Sequence, residues 1–271
     1  MKEPVLILSD LHLGHKASSI DDVAALEPLL RGAATLVLNG DTWQELAREF
    51  REDGRRLWQD LRALCQRLSI EIVALPGNHD PGQRDADYVT LAAGKIIVMH
   101  GDTVFPEVAP WSRMALRKKT ELRAILSSHP QDTVEQRFAL AKKVSQCLIP
   151  NYYIHSKNIF ARIWDAVTPP GRAWHMITSW LTMVRETRKF ARRYFPDAAI
   201  MVCGHFHFCG VWDKQLPAVI NTGSFMPPGS AYWTEWKEQT LSVGLVGKKS
   251  GLWQRGTTLA VWKFDPQHAD G

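Results

Sequence analysis

Cysteine is scarce in this sequence, and long apolar runs are missing from it. The 271 residues include four cysteines, Cys65, Cys147, Cys203 and Cys209, too few for the disulfide framework of small secreted domains. No run approaches the roughly 18 apolar residues of a membrane-spanning helix, and we see no secretory leader after Met1. We therefore expect a reduced, cytoplasmic protein. Its hydrophobic fraction of 45% is ordinary for a globular chain with a substantial core.

Acidic residues are also scarce in one central segment. Residues 111–195 contain 16 Lys or Arg but 5 Asp or Glu, a formal charge of about +11, whereas the whole chain carries +5. Eleven aromatic side chains are interleaved with this charge. Such a segment is typical of surfaces that contact nucleic acid or an anionic membrane. Charge-rich helices are also often only solvated faces, so this reading stays open.

Short apolar runs alternate with helical patterns over the first 110 residues. Buried strands are predicted for "PVLILS", "TLVLNG", "IEIVAL" and "KIIVMH". An amphipathic helix between the second and third strands is predicted by the spacing of Leu57, Leu61, Leu64 and Leu68. Helical patterns replace strands in residues 111–195, and strand patterns return afterwards. Strands that alternate with helices favour an α/β fold, interrupted here by a helical insert.

Each of these predicted strands ends in side chains that can bind a metal. The strand ends carry "SDLH", "NGD", "GNHD" and "MHGD", and the strand after the insert carries "CGHFH". Ligands of open α/β sheets bind beyond the carboxyl ends of the strands, so five strand ends can converge on one site. Asp, His and Asn supply oxygen and nitrogen ligands suited to Mn, Fe or Zn. A carboxylate can bridge two such ions about 3.5–4 Å apart, and the pair can hold a hydroxide for a phosphoryl displacement.

The stretch "VCGHFHFCGVW" offers an alternative, a Cys2His2 zinc site. In an extended strand, Cys203, His205, His207 and Cys209 would share one face. One strand cannot wrap a tetrahedral ion by itself, and structural zinc sites use two separated ligand pairs. We therefore favour buried, structural cysteines and histidines that belong to the larger site.

The ordered set of motifs resembles the calcineurin-like metallophosphoesterase family. "SDLH", "GD", "GNHD", "HG" and "GHFH" follow one another between residues 8 and 207. The resemblance implies an α/β fold, an αβ-sandwich of two mixed β-sheets flanked by helices. The catalytic domain would comprise residues 1–110 and 196–271, with residues 111–195 as a helical cap insert. The resemblance also implies two divalent metal ions, Mn, Fe or Zn, of which we favour Mn.

Metal-binding roles follow from the resemblance, motif by motif. One ion would be held by the histidines and the carboxylate of the first and last motifs, namely Asp10, His12 and His207. Asp41 would bridge the two ions. The other ion would be held by Asn78, His100 and His205. His79 would contact the phosphate or protonate the leaving group. Asp80 would hold the metal-binding residues in position without binding an ion itself. The implied reaction is hydrolysis of a phosphate ester or pyrophosphate bond by a hydroxide held at the metals.

The family does not determine the substrate. "SDLHLG", "HGD" followed by "WSRM", and the helical insert are similar to the UDP-2,3-diacylglucosamine hydrolase branch, which cleaves a pyrophosphate bond in lipid A synthesis. His79 stands where that branch typically carries Arg, which favours a more general phosphoesterase. We expect a phosphorylated small molecule or a lipid-linked substrate, bound by arginines of the insert: Arg113, Arg185, Arg188 and Arg192.

Two other functions remain open at this stage. "DLHLG" also resembles a nuclease of double-strand-break repair, and a nuclease or cyclic-nucleotide phosphodiesterase would use the basic insert to contact phosphates. A catalytically silent binding scaffold is the other alternative, which the complete ligand set disfavours. We expect peripheral contact of residues 111–195 with an anionic membrane, at the inner membrane, rather than with nucleic acid. Each Lys or Arg near such a surface gains roughly 1 kcal/mol.

Overall fold

Two mixed β-sheets make up the centre of the fold. The structure, a computed structural model, describes residues 1–82, 85–149, 168 and 170–265. Within these residues the first sheet has six strands in the order β11-β10-β9-β1-β2-β3. Its parallel strands are β1 (Val5–Leu8), β2 (Thr35–Asn39) and β3 (Glu71–Leu75). Its antiparallel strands are β9 (Tyr232–Lys237), β10 (Thr240–Lys249) and β11 (Leu252–Lys263).

The second sheet has five strands within the described residues, in the order β4-β5-β6-β8-β7. Its central strands are parallel: β5 (Ile96–Val98), β6 (Ile200–Cys203) and β8 (Ala218–Asn221). The edge strands run antiparallel to them: β4 (Val89–Leu91) and β7 (Gly210–Trp212). The predicted αβ-sandwich of two mixed sheets is confirmed. The sequence patterns did not predict β4, which is only three residues long.

Helices cover the outer surfaces of the sandwich. A 3₁₀ turn (Val23–Leu26) begins at Asp22, whose side chain accepts a hydrogen bond from the N–H of Ala24, and leads into the short α1. The α-helices are α1 (Glu27–Leu30), α2 (Arg51–Arg67), α3 (Arg113–Arg117), α4 (Lys119–Ser128), α5 (Val134–Cys147) and α6 (Pro170–Tyr194). None of the helices in the described ranges is long and apolar enough to cross a membrane.

Alternation along each strand divides the core into layers. Val5, Ile7 and Val37 face the second sheet, where they pack with residues such as Val98 and Val202. The intervening leucines of β1 and β2 face outward against the 3₁₀ turn and α2. The leucines whose spacing predicted α2 pack against that layer. Of these, Leu57, Leu61 and Leu64 are buried. The period of two along the strands therefore places one apolar layer between the sheets and another beneath the helices.

The helices of the predicted insert take part in two further apolar clusters. Met183 and Phe190 of α6 pack with Met201 of β6 and with Phe138 of α5 on the outer face of the second sheet. Helices α3, α4 and α5 share a separate small core around Leu122. The second half of α6 thus forms the outer layer of the second sheet. The predicted domain bounds, with residues 111–195 as an insert, stay a prediction.

Candidate metal centre

One group of metal-capable side chains gathers at the carboxyl ends of β1, β2 and β6. Asp10 and His12 follow β1, Asp41 follows β2, and His207 follows β6. Their ligand atoms all lie within 4.8 Å of one another. The Nε2 atom of His12 lies 3.0 Å from Nε2 of His207 and 3.8 Å from both Asp10 Oδ1 and Asp41 Oδ2. This is the set that the resemblance assigned to the first ion together with the bridging carboxylate.

A second group shares Asp41 with the first. Ligand atoms of Asp41, His100 and His205 also lie within 4.8 Å of one another. His100 Nε2 is 3.4 Å from Asp41 Oδ2, and its Nδ1 donates to the backbone C=O of Asn39 at 3.0 Å. His205 Nε2 donates to the C=O of Val108 at 3.0 Å, which leaves Nδ1 as its available ligand atom. A backbone carbonyl therefore selects the tautomer of each histidine.

Asn78 is the remaining residue of the predicted second set. Its Oδ1 atom is buried and accepts no hydrogen bond from any residue that the structure describes. A buried acceptor without a partner carries a free-energy cost of about 1–3 kcal/mol, which a bound cation would remove. The donor set is one of oxygen and nitrogen atoms, which suits a hard or borderline divalent ion. The residues present therefore fit the dinuclear centre that the family implies.

The site is built on left-handed backbone. Asp10, His12, Asp41, His205 and His207 all have φ between 49° and 70°. This region costs an L-residue roughly 1–2 kcal/mol and is more accessible to Asp and His than to most residues. Five residues of two metal-capable groups share this conformation, which turns each side chain back over its strand end. The strain is concentrated where the ligands converge.

Glycines let the carboxylates approach the neighbouring backbone. A Cβ at Gly77 would overlap the Oδ1 atom and the backbone N of Asp41. A Cβ at Gly204 would overlap Asp10 Oδ2, and the Asp10 carboxylate accepts from the His205 N–H at 3.0 Å. The glycines of "GNHD" and "CGHFH" are therefore required by close packing against ligand side chains.

Burial and neighbouring charges shift the pKa values of these groups. Burial holds the pKa of His12 well below its usual range and lowers that of His205 to about 3. Burial opposes the charged form of His100 as well, but the Asp41 carboxylate outweighs it and raises the pKa of His100 well above its usual range. The histidines around Asp41 hold the pKa of that carboxyl well below its usual range, against the effect of burial. Asp41 is thus held as the carboxylate, and His12 and His205 as the neutral imidazoles, that bind a metal, whereas His100 would have to release a proton to do so.

Asp80 anchors the loops beneath the site. Its carboxylate oxygens accept four backbone N–H bonds, at distances of 2.7–3.3 Å, from Asp41, Thr42, Trp43 and Gly77. Burial and the Asp41 carboxylate raise the pKa of Asp80 to about 8, while the N–H groups favour the ionised form. All four partners are donors, so the carboxylate is the form that satisfies them. Asp80 thus ties the "NGD" and "GNHD" turns together.

His79 and His207 lie on the open side of the site. The exposed fraction of each side chain is 34%, against at most 2% for Asp10, His12 and Asp41. His79 Nε2 lies 3.9 Å from Asp41 Oδ2. A substrate would therefore approach from the side of these two histidines. The individual roles implied for the site residues stay predictions.

Three residues around the site escaped the sequence reading. Gln44 contacts both His12 and His79, Asn39 donates to the C=O of Met99, and Val108 supplies the carbonyl that holds His205. The sequence places Gln44 three residues after Asp41 but gives no sign of its contacts with the two histidines. Backbone carbonyls such as that of Val108 leave no mark in a sequence, because every residue has one.

The four arginines predicted to bind substrate occupy different surroundings. Arg188 donates to three backbone carbonyls in residues 212–217, at 3.0–3.1 Å. Arg113 donates to the C=O of Thr168. Arg185 pairs with Glu186 at 2.9 Å, and Arg192 is exposed. A substrate-binding role stays a prediction for all four, and Arg188 has a structural role besides.

The cysteines lie apart from both groups. Strand β6 ends at Cys203, and the left-handed backbone of His205 and His207 prevents the single strand face that the zinc alternative assumed. Cys203 is buried in the core cluster on the outer face of the second sheet, where burial raises its pKa to about 12. Among the described residues, neither metal-capable group contains a cysteine.

The structure is an αβ-sandwich of two mixed sheets with a candidate metal centre of Asp, His and Asn side chains at its strand ends. The family model of calcineurin-like phosphoesterases matches residues 3–209. The chain belongs to this family.

Comparison with solved structures gives distant similarities. A single mutant of Vps29 from Entamoeba histolytica is 14% identical, with 97% of this chain and 99% of that chain covered and a TM-score of 0.45. A dimetal phosphatase from Danio rerio is 13% identical, with 97% and 99% covered and a TM-score of 0.46. A predicted phosphoesterase from Streptococcus pneumoniae is 15% identical, with 93% and 96% covered and a TM-score of 0.38. Comparison with curated proteins gives no match.

Proposed function

We propose that the protein is a metal-dependent hydrolase of a phosphate ester or pyrophosphate bond. The observation that carries the proposal is the position of Asp41, whose Oδ2 faces His12 Nε2 at 3.8 Å and His100 Nε2 at 3.4 Å. One carboxylate thus serves both ligand groups. When bound, two divalent ions, for which we favour manganese, would polarise the phosphoryl oxygens and activate water.

The residues on the open side would act on the substrate itself. His79 is positioned by its own backbone N–H, which donates to Asp41 Oδ1 at 2.9 Å. Its partly exposed ring can reach a phosphoryl oxygen or the departing oxygen, and a proton held on Nε2 would stabilise charge that develops there. The buried ligands behind it keep their geometry because Asp80 and the glycines hold the turns in place.

We propose a nucleotide-linked lipid, such as UDP-2,3-diacylglucosamine, as the substrate. A cavity of about 370 Å³ lies between α3, α4 and α6, within the range of about 300–1,000 Å³ for small-molecule sites. Its apolar lining includes Phe105, Leu116, Leu122 and Leu126. Lys119 and Arg123 contribute positive charge, and Glu107 contributes a negative one. The loop that forms one wall also carries Val108, which holds His205. An acyl chain in this cavity would therefore lie against a loop of the metal site.

Contact with an anionic membrane is part of the same proposal. One face of α6, the α6 stripe, points to solvent and consists of Trp174, Ile177, Leu181, Arg185, Lys189 and Arg192. Its first half is apolar, with exposed fractions of 67%, 45% and 79% for Trp174, Ile177 and Leu181. Its second half is basic. Apolar side chains that enter the interface beside Lys and Arg at the headgroups are typical of peripheral membrane helices.

Turnover tests separate the candidate functions. The Mn²⁺-loaded chain is incubated with UDP-2,3-diacylglucosamine, with bis(p-nitrophenyl) phosphate and with short DNA. Asp41→Asn serves as the inactive variant, and Asp197→Asn, an exposed carboxylate that belongs to neither metal-capable group, as its matched control. Release of UMP supports the lipid-linked substrate. Cleavage of DNA alone supports the nuclease, and no turnover by a metal-loaded chain supports the scaffold.

Vesicle co-sedimentation tests the membrane contact. We expect binding to vesicles that contain anionic lipid, and weaker binding as salt increases. Replacing Arg185, Lys189 and Arg192 with Gln should reduce it. The matched control replaces three exposed arginines of α2 with Gln, namely Arg55, Arg62 and Arg67, which lie over the other sheet. An equal loss of vesicle binding in both variants would show that the net charge of the protein, not the α6 stripe, accounts for the binding. DNA binding without vesicle binding would contradict the proposal.

A further inference from the structure

A single buried amide lies between two histidines of the site. Gln44 Nε2 is 2.9 Å from His12 Nδ1, and Gln44 Oε1 is 3.1 Å from His79 Nδ1. Gln44 is fully buried. His12 is one of the residues in the first metal-capable group, whereas His79 faces the open side. Gln44 therefore joins a buried ligand to the residue that would meet the substrate.

The amide cannot treat its two neighbours alike. One side of a carboxamide only accepts hydrogen bonds and the other only donates. Whichever way the group is turned, one of the two Nδ1 atoms must carry a proton and the other must accept one. The orientation in the structure gives His79 a proton on Nδ1, and it leaves the proton of His12 on Nε2, the atom that faces Asp10 and Asp41.

Ligation by His12 requires the opposite arrangement. If His12 held an ion through Nε2, the lone pair of that atom would be used, and the ring proton would have to lie on Nδ1. This N–H needs an acceptor, which only the oxygen of the Gln44 amide can supply in that contact. The amide must then turn over, and its NH2 group donates to His79 Nδ1. His79 is left with its proton on Nε2.

We infer that Gln44 is a positioning residue that converts metal binding at His12 into the Nε2–H tautomer of His79. The inference rests on the proposed dinuclear site. His79 Nε2 lies 3.9 Å from Asp41 Oδ2, on the side of the metal site. A hydrogen-bond donor at this atom would therefore be present only when the site is loaded. An unloaded site would present a lone pair to the substrate at the same point. Phosphoryl oxygens accept hydrogen bonds, so only the loaded form offers them a donor.

The tautomer can be read directly by NMR. Two-bond ¹H–¹⁵N correlation spectra of the full chain, metal-free and loaded with diamagnetic Zn²⁺, distinguish protonated from unprotonated ring nitrogens. The His79 signals are assigned as those lost in His79→Gln. We expect Nδ1–H in the metal-free wild type and Nε2–H after loading. Retention of Nδ1–H in the loaded wild type would overturn the inference, and this readout does not depend on turnover.

Two variants supply matched controls. Gln44→Glu presents two acceptor oxygens, so His79 should keep its Nδ1 proton after loading. Gln44→Leu removes both hydrogen bonds, so His79 should show a mixture of tautomers in both conditions, with kcat reduced and KM less affected. A loaded Gln44→Glu protein with the wild-type tautomer would contradict the inference. If a variant does not fold, the comparison of wild-type spectra still decides the question.

Discussion

The Nε2 atoms of His12 and His207 lie 3.0 Å apart, although the two residues are 195 positions apart in the chain. Two imidazole lone pairs repel at this distance unless a proton or a cation lies between them or beside both. Asp10 Oδ1, 3.2 Å from the same atom of His207, adds negative charge at that point. In the metal-free site a proton on His12 Nε2 lies between the two rings, and a cation bound by His12, His207 and Asp10 would take its place.

Metal titration tests this arrangement. At saturation with Mn²⁺ or Zn²⁺ we expect about two ions per chain by elemental analysis. Loading should also raise the melting temperature, since a ligand at 100 times its Kd adds about 2.7 kcal/mol to the stability of the folded state. Asp41→Asn should lose at least one ion, and Asp197→Asn should retain both. A wild-type stoichiometry of one or zero would contradict the dinuclear centre.

Replacement of Gly77 by Ala should disable the site. The added Cβ would overlap the backbone N and Oδ1 of Asp41, so the shared carboxylate must move. We expect metal affinity to fall at least 10-fold, together with a lower melting temperature. The matched control is Gly171→Ala in the first turn of α6, where an added Cβ meets nothing within 4 Å. Wild-type metal affinity in Gly77→Ala would show that Asp41 tolerates displacement.

Replacement of His79 by Ala should separate binding of the ions from turnover. His79 belongs to neither metal-capable group and is partly exposed, so both ions should remain. Activity should fall by roughly 10²–10⁴-fold, the usual contribution of a general acid or base. Calorimetry measures the first effect and kcat the second. Full activity on every substrate that the protein hydrolyses would remove His79 from the mechanism.

Arg188 and Arg192 should behave differently although both are basic residues of α6. Arg188→Ala removes a guanidinium from three backbone carbonyls of residues 212–217. We expect a loss of about 1.5–3 kcal/mol of stability, because hydrogen bonds to a charged group contribute that much. Arg192→Ala should stay within about 0.5 kcal/mol, as is usual for exposed positions. Denaturant unfolding measures both, and equal losses would contradict the assignment.

The four cysteine thiols should form two pairs that differ in their reactivity with a thiol reagent. Burial raises the pKa of Cys65 and of Cys203 to about 12, so roughly 10⁻⁴ of each is thiolate at pH 8. The thiolate is the reactive form, and raising the pH increases its fraction. In the native protein at pH 8 a thiol reagent should modify at most Cys147 and Cys209, and all four cysteines in guanidinium. Fast modification of Cys203 in the native protein would show that the reagent can reach the core cluster around it.

Much of the fold was predictable from local pattern. Apolar runs of four or five residues identified β1, β2, β3 and β6, because buried parallel strands are hydrophobic on both faces. The polar residues that end those runs identified the metal-capable groups. Convergence followed from a general property of α/β sheets, that ligands bind beyond the carboxyl ends of the strands. Strand β4 escaped prediction because three residues carry too little periodicity.

Other features depended on residues far apart in the chain. Gln44 reads as an ordinary loop residue until His12 and His79 are placed on either side of it. Arg188 reads as a surface cation until residues 212–217 present their carbonyls to it. Such roles arise from partners that no local spacing encodes.

The apolar residues of α6 show which features the sequence determined and which only the tertiary structure decided. Their spacing at Trp174, Ile177 and Leu181 determined that the segment is a helix, since residues three and four apart share one helical face. The sequence likewise determined the ligand types and their order along the chain. Only the tertiary structure decided that this apolar face is exposed while Met183 and Phe190 are buried. The reason is physical, because periodicity defines a face of a helix, whereas burial depends on which face the second sheet covers.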